Sequence, residues 1–283
     1  MKICRFNDNR IGVIRGDTVH DITPLFESLG APGWPYPAYD WIIGNFPRVQ
    51  AQIEPYLDQA TKVAMSTVTL LAPVANPGKI IGAPINYRDH ITEANADPGI
   101  ANGKTFTTLD QWGLFIKANT ALNGPNGIVH IPFPERRTDH ETELGVIIGK
   151  RAKRVSREDA LDYVFGYCVA LDMTVRGPEF AGFRKSADTF AVIGPWITTA
   201  DEIANPNALA IDLTVNGEER QKSNTEYLIF NVQHLIEYAS AMYTLQPGDV
   251  IMTGTPAGVG PVKSGDVVTA RVARLGELTV RIA

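Results

Sequence analysis

The sequence predicts an α+β chain dominated by β-strands, and three observations carry that prediction. Its 283 residues include 25 glycines and 19 prolines, which favours many turns and short strands over long helices. Short apolar runs bounded by Gly, Pro or Asn recur at 79–82, 113–117, 128–132, 141–149, 165–172, 192–198, 209–215, 248–253 and 266–272. Helical patterning is thinner, at 48–62, 156–163 and 228–242.

Taken in order, Ile11 to Ile22 reads as two short strands turning at Arg15-Gly16-Asp17. Residues 32–38 hold three prolines and form a loop before the helical 48–62. Pro73 and Pro77-Gly78 mark a boundary, which divides the chain into a small lead-in domain of residues 1–72 and a larger, mostly β domain of 73–283. Within the latter, Ser156 caps the helix 156–163 with Asp159 in the capping-box position. Asn216-Gly217 is a two-residue hairpin turn. In 228–242, Leu228, Val232, Leu235, Ile236 and Ala239 share one helical face.

Composition narrows the function classes. Hydrophobic residues at 44% and charged ones at 20% are ordinary globular usage, which excludes a disordered tail or a fibrous repeat. A net charge of −5 offers no broad positive field for nucleic acid. No apolar run reaches the ~18 residues of a membrane span, and the N-terminus lacks the apolar stretch of a signal peptide. Two cysteines, Cys4 and Cys168, form neither a disulfide framework nor a Cys-rich zinc site, and suit a reducing cytoplasm.

In Asp139-His-Glu141-Thr-Glu143-Leu-Gly-Val-Ile-Ile-Gly149, strand alternation puts Glu141 and Glu143 on one face, about 6–7 Å apart, and Leu144, Val146 and Ile148 on the other. Two carboxylates at that spacing repel by roughly 3 kcal/mol at an effective dielectric of ~20, so they face water or share a hard divalent cation. A third acid, Asp172, ends the apolar run Tyr167–Leu171, where a buried charge needs a partner.

His90 and Glu93 lie three residues apart, on one side of a helical turn. They form either a surface turn or an imidazole oriented by a carboxylate, the construction of a general base. The glycine-rich Thr253-Gly-Thr255-Pro-Ala-Gly-Val-Gly260 lacks the Gly-Lys-Ser/Thr ending of a phosphate loop. It remains a tight turn whose N–H groups and Thr255 hydroxyl can hold a carboxylate. Arg176 and Lys185 are either surface charges, anion ligands, or neutralisers of the acidic cluster.

Six segments in this order resemble the fumarylacetoacetate hydrolase family over roughly residues 73–275. They are Asn86-Tyr-Arg-Asp-His90 with Glu93; Glu141-x-Glu143-Leu; Gly166-Tyr-Cys-Val-Ala-Leu-Asp172-Met-Thr-x-Arg176; Lys185-Ser-x-Asp-Thr189-Phe with Gly194-Pro195-Trp196; Asn216-Gly217; and Leu245-Gln-Pro-Gly-Asp249 through Gly260. The resemblance implies a mixed β-sandwich roll with a small N-terminal domain, usually a homodimer. It implies Mg²⁺ or Mn²⁺ on Glu141, Glu143 and Asp172, with Lys185 and Thr189 close by. Tyr87, Arg176, Glu179 and Thr255 fall at substrate-contacting positions, and His90 with Glu93 resembles the dyad of a short helix that orders over substrate. Three positions depart from the pattern: Gly177 replaces an acid, Glu179 a glutamine, and Ala118 a proline after Lys117.

The activity so implied is metal-dependent hydrolysis of a carbon–carbon bond in a 2-oxo or 1,3-dicarbonyl acid, an acylpyruvate such as fumarylpyruvate, through a metal-stabilised enolate. His90, Glu93 and Lys185 are the catalytic candidates, and the partner is a small anionic 2-oxo acid. Two alternatives share these residues. One is a decarboxylase or keto–enol isomerase of aromatic catabolism, and the other is a non-catalytic, metal-dependent binder of organic acids.

Overall fold

The architecture follows from where apolar alternation is strongest. Residues Thr142–Ile148 and Val164–Asp172 are buried along their whole length and pair antiparallel, Glu143 opposite Ala170 and Val146 opposite Tyr167. In this computed structural model, which describes residues 1–283, they form the middle of a 12-stranded mixed sheet. Ala191–Thr199 and Val250–Met252 flank the pair, and Ile80–Gly82 and Phe115–Lys117 complete that edge.

The sheet's other edge is built from the N-terminus. Lys2–Phe6 pairs with Ala191–Thr199, Lys2 opposite Thr198, and continues through Arg10–Arg15 and Thr18–Asp21 to Lys62–Ala64. The expected two-stranded hairpin is therefore part of a larger meander, because Lys2–Phe6 supplies a further strand. A second, five-stranded sheet runs Glu218–Asn224, Ala210–Val215, Val267–Val272, Gly276–Ile282 and Ile128–Val129. The Asn216-Gly217 hairpin is present, both residues at positive φ, 52° and 83°.

Side-chain alternation assembles the layers. Leu144, Val146 and Ile148 share the largest core cluster with Leu213, Val268 and Leu278 of the second sheet, giving the sandwich. On the opposite face of the same strand, Ile147 packs with Cys168, Ala170 and Met252. Glu143 lies on that second face, so the strand that builds the core also delivers a carboxylate away from it.

Three expected helices differ from their prediction. The 48–62 helix is Trp41–Tyr56: Asp40 caps it, accepting the Ile43 N–H at 3.0 Å, and Lys62–Ala64 is a strand. Residues 156–163 form a turn and a short 3₁₀ segment, Ala160–Tyr163, although Ser156 Oγ accepts the Asp159 N–H as expected. The third helix starts later, at Val232, because Asn231 accepts the His234 N–H; Leu228 lies outside it and bridges to Tyr87. No helix is long and apolar enough to cross a membrane.

Candidate active site

Glu141 lies at the break between the strands Thr138–His140 and Thr142–Ile148, rather than within the longer one as predicted. Its carbonyl still accepts the Asp172 N–H at 2.9 Å, which brings the two acidic segments together. Glu141, Glu143 and Asp172 are all buried, and one carboxylate oxygen of each lies within 4.8 Å of the others. A fourth buried acid, Asp139, lies two residues before Glu141.

Cations compensate this group unevenly. Lys185 Nζ donates to Glu141 Oε2 at 2.6 Å, Asp172 Oδ2 at 2.8 Å and Thr174 Oγ1 at 2.6 Å. Arg176 Nε donates to Asp139 Oδ2 at 2.7 Å and its Nη2 to Glu141 Oε1 at 2.9 Å. Lys117, wholly buried, donates to the other oxygen of Asp172 and to the Lys185 carbonyl. Glu143 alone has no cation in contact; its Oε2 accepts the Gly254 N–H at 2.6 Å.

The proton affinities follow from that asymmetry. Burial raises Glu141, but Lys185 and Arg176 overturn it and hold its carboxyl well below the usual carboxylate range. Burial, then the charge of Asp172, push Glu143 well above that range. Burial opposes the charge on Lys185, yet Asp172 and Glu141 keep its ammonium more basic than usual. Burial wins at Lys117, which is pulled down despite Asp172.

The same cleft receives the second constellation. His90 lies on the helix Arg88–Ala96, and its Nδ1 is 2.8 Å from Glu93 Oε2. The carboxylate accepts, so Nδ1 carries the proton and Nε2 is left without a protein partner. Glu93 Oε1 accepts the Gly258 N–H at 2.8 Å. The glycine-rich turn therefore holds two carboxylates, as the sequence allowed, and both belong to the chain: Glu143 at Gly254 and Glu93 at Gly258. Asn86 anchors the helix start, its amide donating to the carbonyls of Phe230 and Thr253 at 2.8 Å each.

His90, Glu141, Glu143, Arg176, Lys185 and Thr255 line one cleft of about 260 Å³, together with apolar side chains that include Phe106, Trp112, Leu114 and Phe115. Thr255 Oγ1 donates to the Thr142 carbonyl at 2.9 Å and accepts from Gln221 Nε2 at 2.7 Å. Other expected residues stand outside this group. Tyr87 is buried, with its hydroxyl unpaired, and lines a separate pocket beside Tyr227. Thr189 Oγ1 accepts the His130 N–H at 3.0 Å, and Glu179 forms a two-pronged pair with Arg136 at 2.8 and 3.0 Å. The departure at Gly177 belongs with that pair: a Cβ there would stand 2.0 Å from the Arg136 guanidinium and 2.5 Å from the Glu179 carboxylate.

Sequence reasoning missed Lys117, Asp139 and Gln221 as members of the site. Lys117 carried one local signal, a lysine ending an apolar strand. Three buried carboxylates converging on one point, one of them with no counter-cation, form the hard-oxygen donor set that suits a divalent ion. Glu141, Glu143 and Asp172 thus fit Mg²⁺ or Mn²⁺.

Comparison with known proteins adds to this geometry. The sequence profile described as fumarylacetoacetate (FAA) hydrolase C-terminal matches residues 79–283. A maleylpyruvate hydrolase of Aquipseudomonas alcaligenes is 50% identical over 284 residues, covering 100% of this chain and 99% of that protein. The crystal structure of maleylpyruvate hydrolase from Sphingobium sp. SYK-6 in complex with manganese(II) ion and pyruvate is 41% identical, with a TM-score of 0.85 over 100% of this chain and 99% of that one. A 2-hydroxyhepta-2,4-diene-1,7-dioate isomerase from Mycobacterium marinum is 29% identical, with a TM-score of 0.75 over 100% of this chain and 98% of that one.

Proposed function

The chain belongs to the fumarylacetoacetate hydrolase family, and from that premise we propose that it is a metal-dependent acylpyruvate hydrolase. It cleaves a carbon–carbon bond in a 2-oxo-4-keto acid such as maleylpyruvate or fumarylpyruvate. One observation carries this reading: His90, oriented by Glu93, lines the same cleft as Glu141 and Glu143, two of the three clustered carboxylates.

Glu141, Glu143 and Asp172 would hold Mn²⁺ or Mg²⁺, which when bound supplies Lewis acidity toward the oxygens of a 2-oxo acid and offsets enolate charge. The protein's own groups perform the remaining steps. Glu93 keeps the proton on Nδ1 of His90, so Nε2 takes a proton from water. The hydroxide adds to C4 of the substrate, and the C3–C4 bond breaks with its electron pair remaining on C3. The proton held by His90 then returns to C3, and the products are pyruvate and the acid of the acyl arm. Lys185 and Arg176 are fixed by Asp139, Glu141, Asp172 and Thr174, so their positive charge is in place before charge develops on the substrate. Thr255 has its hydroxyl proton committed to Thr142, so it faces substrate as an acceptor.

A homodimer and a cytoplasmic location belong to the same proposal. The exposed side chains of Phe180 and Phe183 support the first, and two free, buried thiols support the second. The deciding experiment incubates the enzyme with fumarylpyruvate and Mn²⁺ or Mg²⁺ and identifies products by mass. Equimolar pyruvate and fumarate are expected. The similarity to an isomerase gives a second reading, and an isomeric product of unchanged mass would establish it instead.

A further inference from the structure

The cleft contains four cationic side chains, and they fall into two classes. Arg176 and Lys185 are tied to buried carboxylates at the inner end. Lys104 and Arg184 also line the cleft, yet neither has a carboxylate within 4.0 Å. Each is half-buried and holds only backbone oxygens: Lys104 Nζ donates to the Pro178 carbonyl at 3.0 Å, and Arg184 donates from Nε to the Glu179 carbonyl at 2.8 Å and from Nη1 to the Val175 carbonyl at 3.2 Å.

Pro178 and Glu179 are consecutive, so the lysine and the guanidinium are anchored to one short stretch of backbone at the cleft. The acid nearest in sequence, Glu179, is withdrawn by Arg136. Two cations on one cleft with no carboxylate in contact, each partly removed from water, carry a cost that an anionic ligand removes. Arg184 Nη2 donates to no protein group, so it remains free for that ligand. Phe106, Trp112 and Phe115 line the same cleft and give it an aromatic wall.

We propose that Lys104 and Arg184 form a subsite for a second carboxylate, at the far end of the substrate's acyl arm. The protein then selects 2-oxo acids with an apolar, flat middle and a terminal carboxylate over acids of equal length ending in a methyl group. The inference builds on the acylpyruvate reading by naming the class of acyl group, and it assigns specificity to two residues outside the metal and base positions.

The test uses two seven-carbon ligands that lack the C4 carbonyl and cannot be cleaved hydrolytically, 2-oxoheptanedioate and 2-oxoheptanoate. Each is titrated calorimetrically into the protein with Mn²⁺, as wild type, Lys104→Gln and Arg184→Gln. Loss of one charge-assisted contact is worth roughly 10- to 100-fold in affinity. The expected result is dioate binding at least about 10-fold tighter than monoate in wild type, with that ratio falling toward one in each variant. Equal affinity for the two ligands in wild type overturns the proposal, as does a ratio preserved in both variants. Lys104→Gln on a half-exposed side chain protects the test against a folding defect in Arg184→Gln. A parallel assay compares fumarylpyruvate with crotonylpyruvate, in which a methyl group replaces the distal carboxylate. Should neither be cleaved while the binding ratio behaves as expected, the reaction assignment fails and the subsite stands; cleavage without a binding preference has the converse meaning.

Discussion

His90 Nδ1 lies 2.8 Å from Glu93 Oε2, and the other oxygen of that carboxylate is held by the Gly258 N–H at 2.8 Å. The imidazole is thus oriented by a glutamate that is itself fixed from outside its helix. A base built this way contributes ~10²–10⁴-fold. His90→Ala is expected to lower kcat by that amount while Mn²⁺ affinity, read by calorimetry, is unchanged. Glu93→Gln loses the tautomer preference and should lower kcat by about 10- to 100-fold, in line with other groups that orient a histidine. Equal loss of metal binding in His90→Ala would refute the division of labour.

Gly258 ties this dyad to the fold. Its φ is +96°, and a Cβ there would stand 2.0 Å from the Arg220 carbonyl oxygen. Gly258→Ala should therefore cost about 1–3 kcal/mol of stability, from the left-handed backbone and the displaced strand. The displaced N–H also releases Glu93, so kcat is expected to fall more than the shift in denaturation midpoint explains. Denaturant titration and steady-state kinetics on one preparation measure both effects.

How far the sequence foretold this site depends on whether partners were local. Leu144, Val146 and Ile148 alternate with Glu143 within one strand, so the core face and the carboxylate face were both readable from spacing. His90 and Glu93 pair within one helical turn for the same reason. By contrast, Lys117 meets Asp172 across 55 residues and Gln221 meets Thr255 across 34, and no periodicity encodes such contacts. The strand Glu218–Asn224 has no apolar alternation and exists because the Asn216-Gly217 turn folds it onto Ala210–Val215. The late start at Val232 shows the cap deciding over the apolar face: Asn231 satisfies the first turn, whereas Leu228 has no such residue before it.

Glu143 makes the metal reading testable through stability as well as turnover. Its charge is opposed by burial and by Asp172, and no cation touches it. Glu143→Gln removes that repulsion, so the metal-free variant should melt no lower than metal-free wild type. Saturating Mn²⁺ at about 100 times Kd adds ~2.7 kcal/mol to a protein that binds it, raising Tm. That rise is expected in wild type and absent in Glu143→Gln. Chelation should abolish turnover in wild type, and added Mn²⁺ or Mg²⁺ should restore it; full activity in a metal-stripped sample would end the metal-dependent mechanism.

Cys4 and Cys168 predict a pH dependence independent of the active site. Burial pushes each thiol from 9.0 up to about 12, the backbone contacts at Gly12 and Gly194 opposing it only in part. At pH 8.5 the folded protein therefore presents no thiolate at either position, and a disulfide reagent should react only on unfolding. Both folded values are raised, so the stability they protect is fully present below pH 9 and is lost as pH rises from 9 toward 12, where only the unfolded chain ionises. Each thiol contributes about 1.4 kcal/mol per pH unit across that window. Cys168→Ala should flatten the alkaline fall measured by urea denaturation between pH 9 and 11, although the lost sulfur lowers stability at pH 7. Rapid labelling of native protein at pH 8.5, or an unchanged alkaline slope in Cys168→Ala, would show that these thiols are less protected than their packing implies.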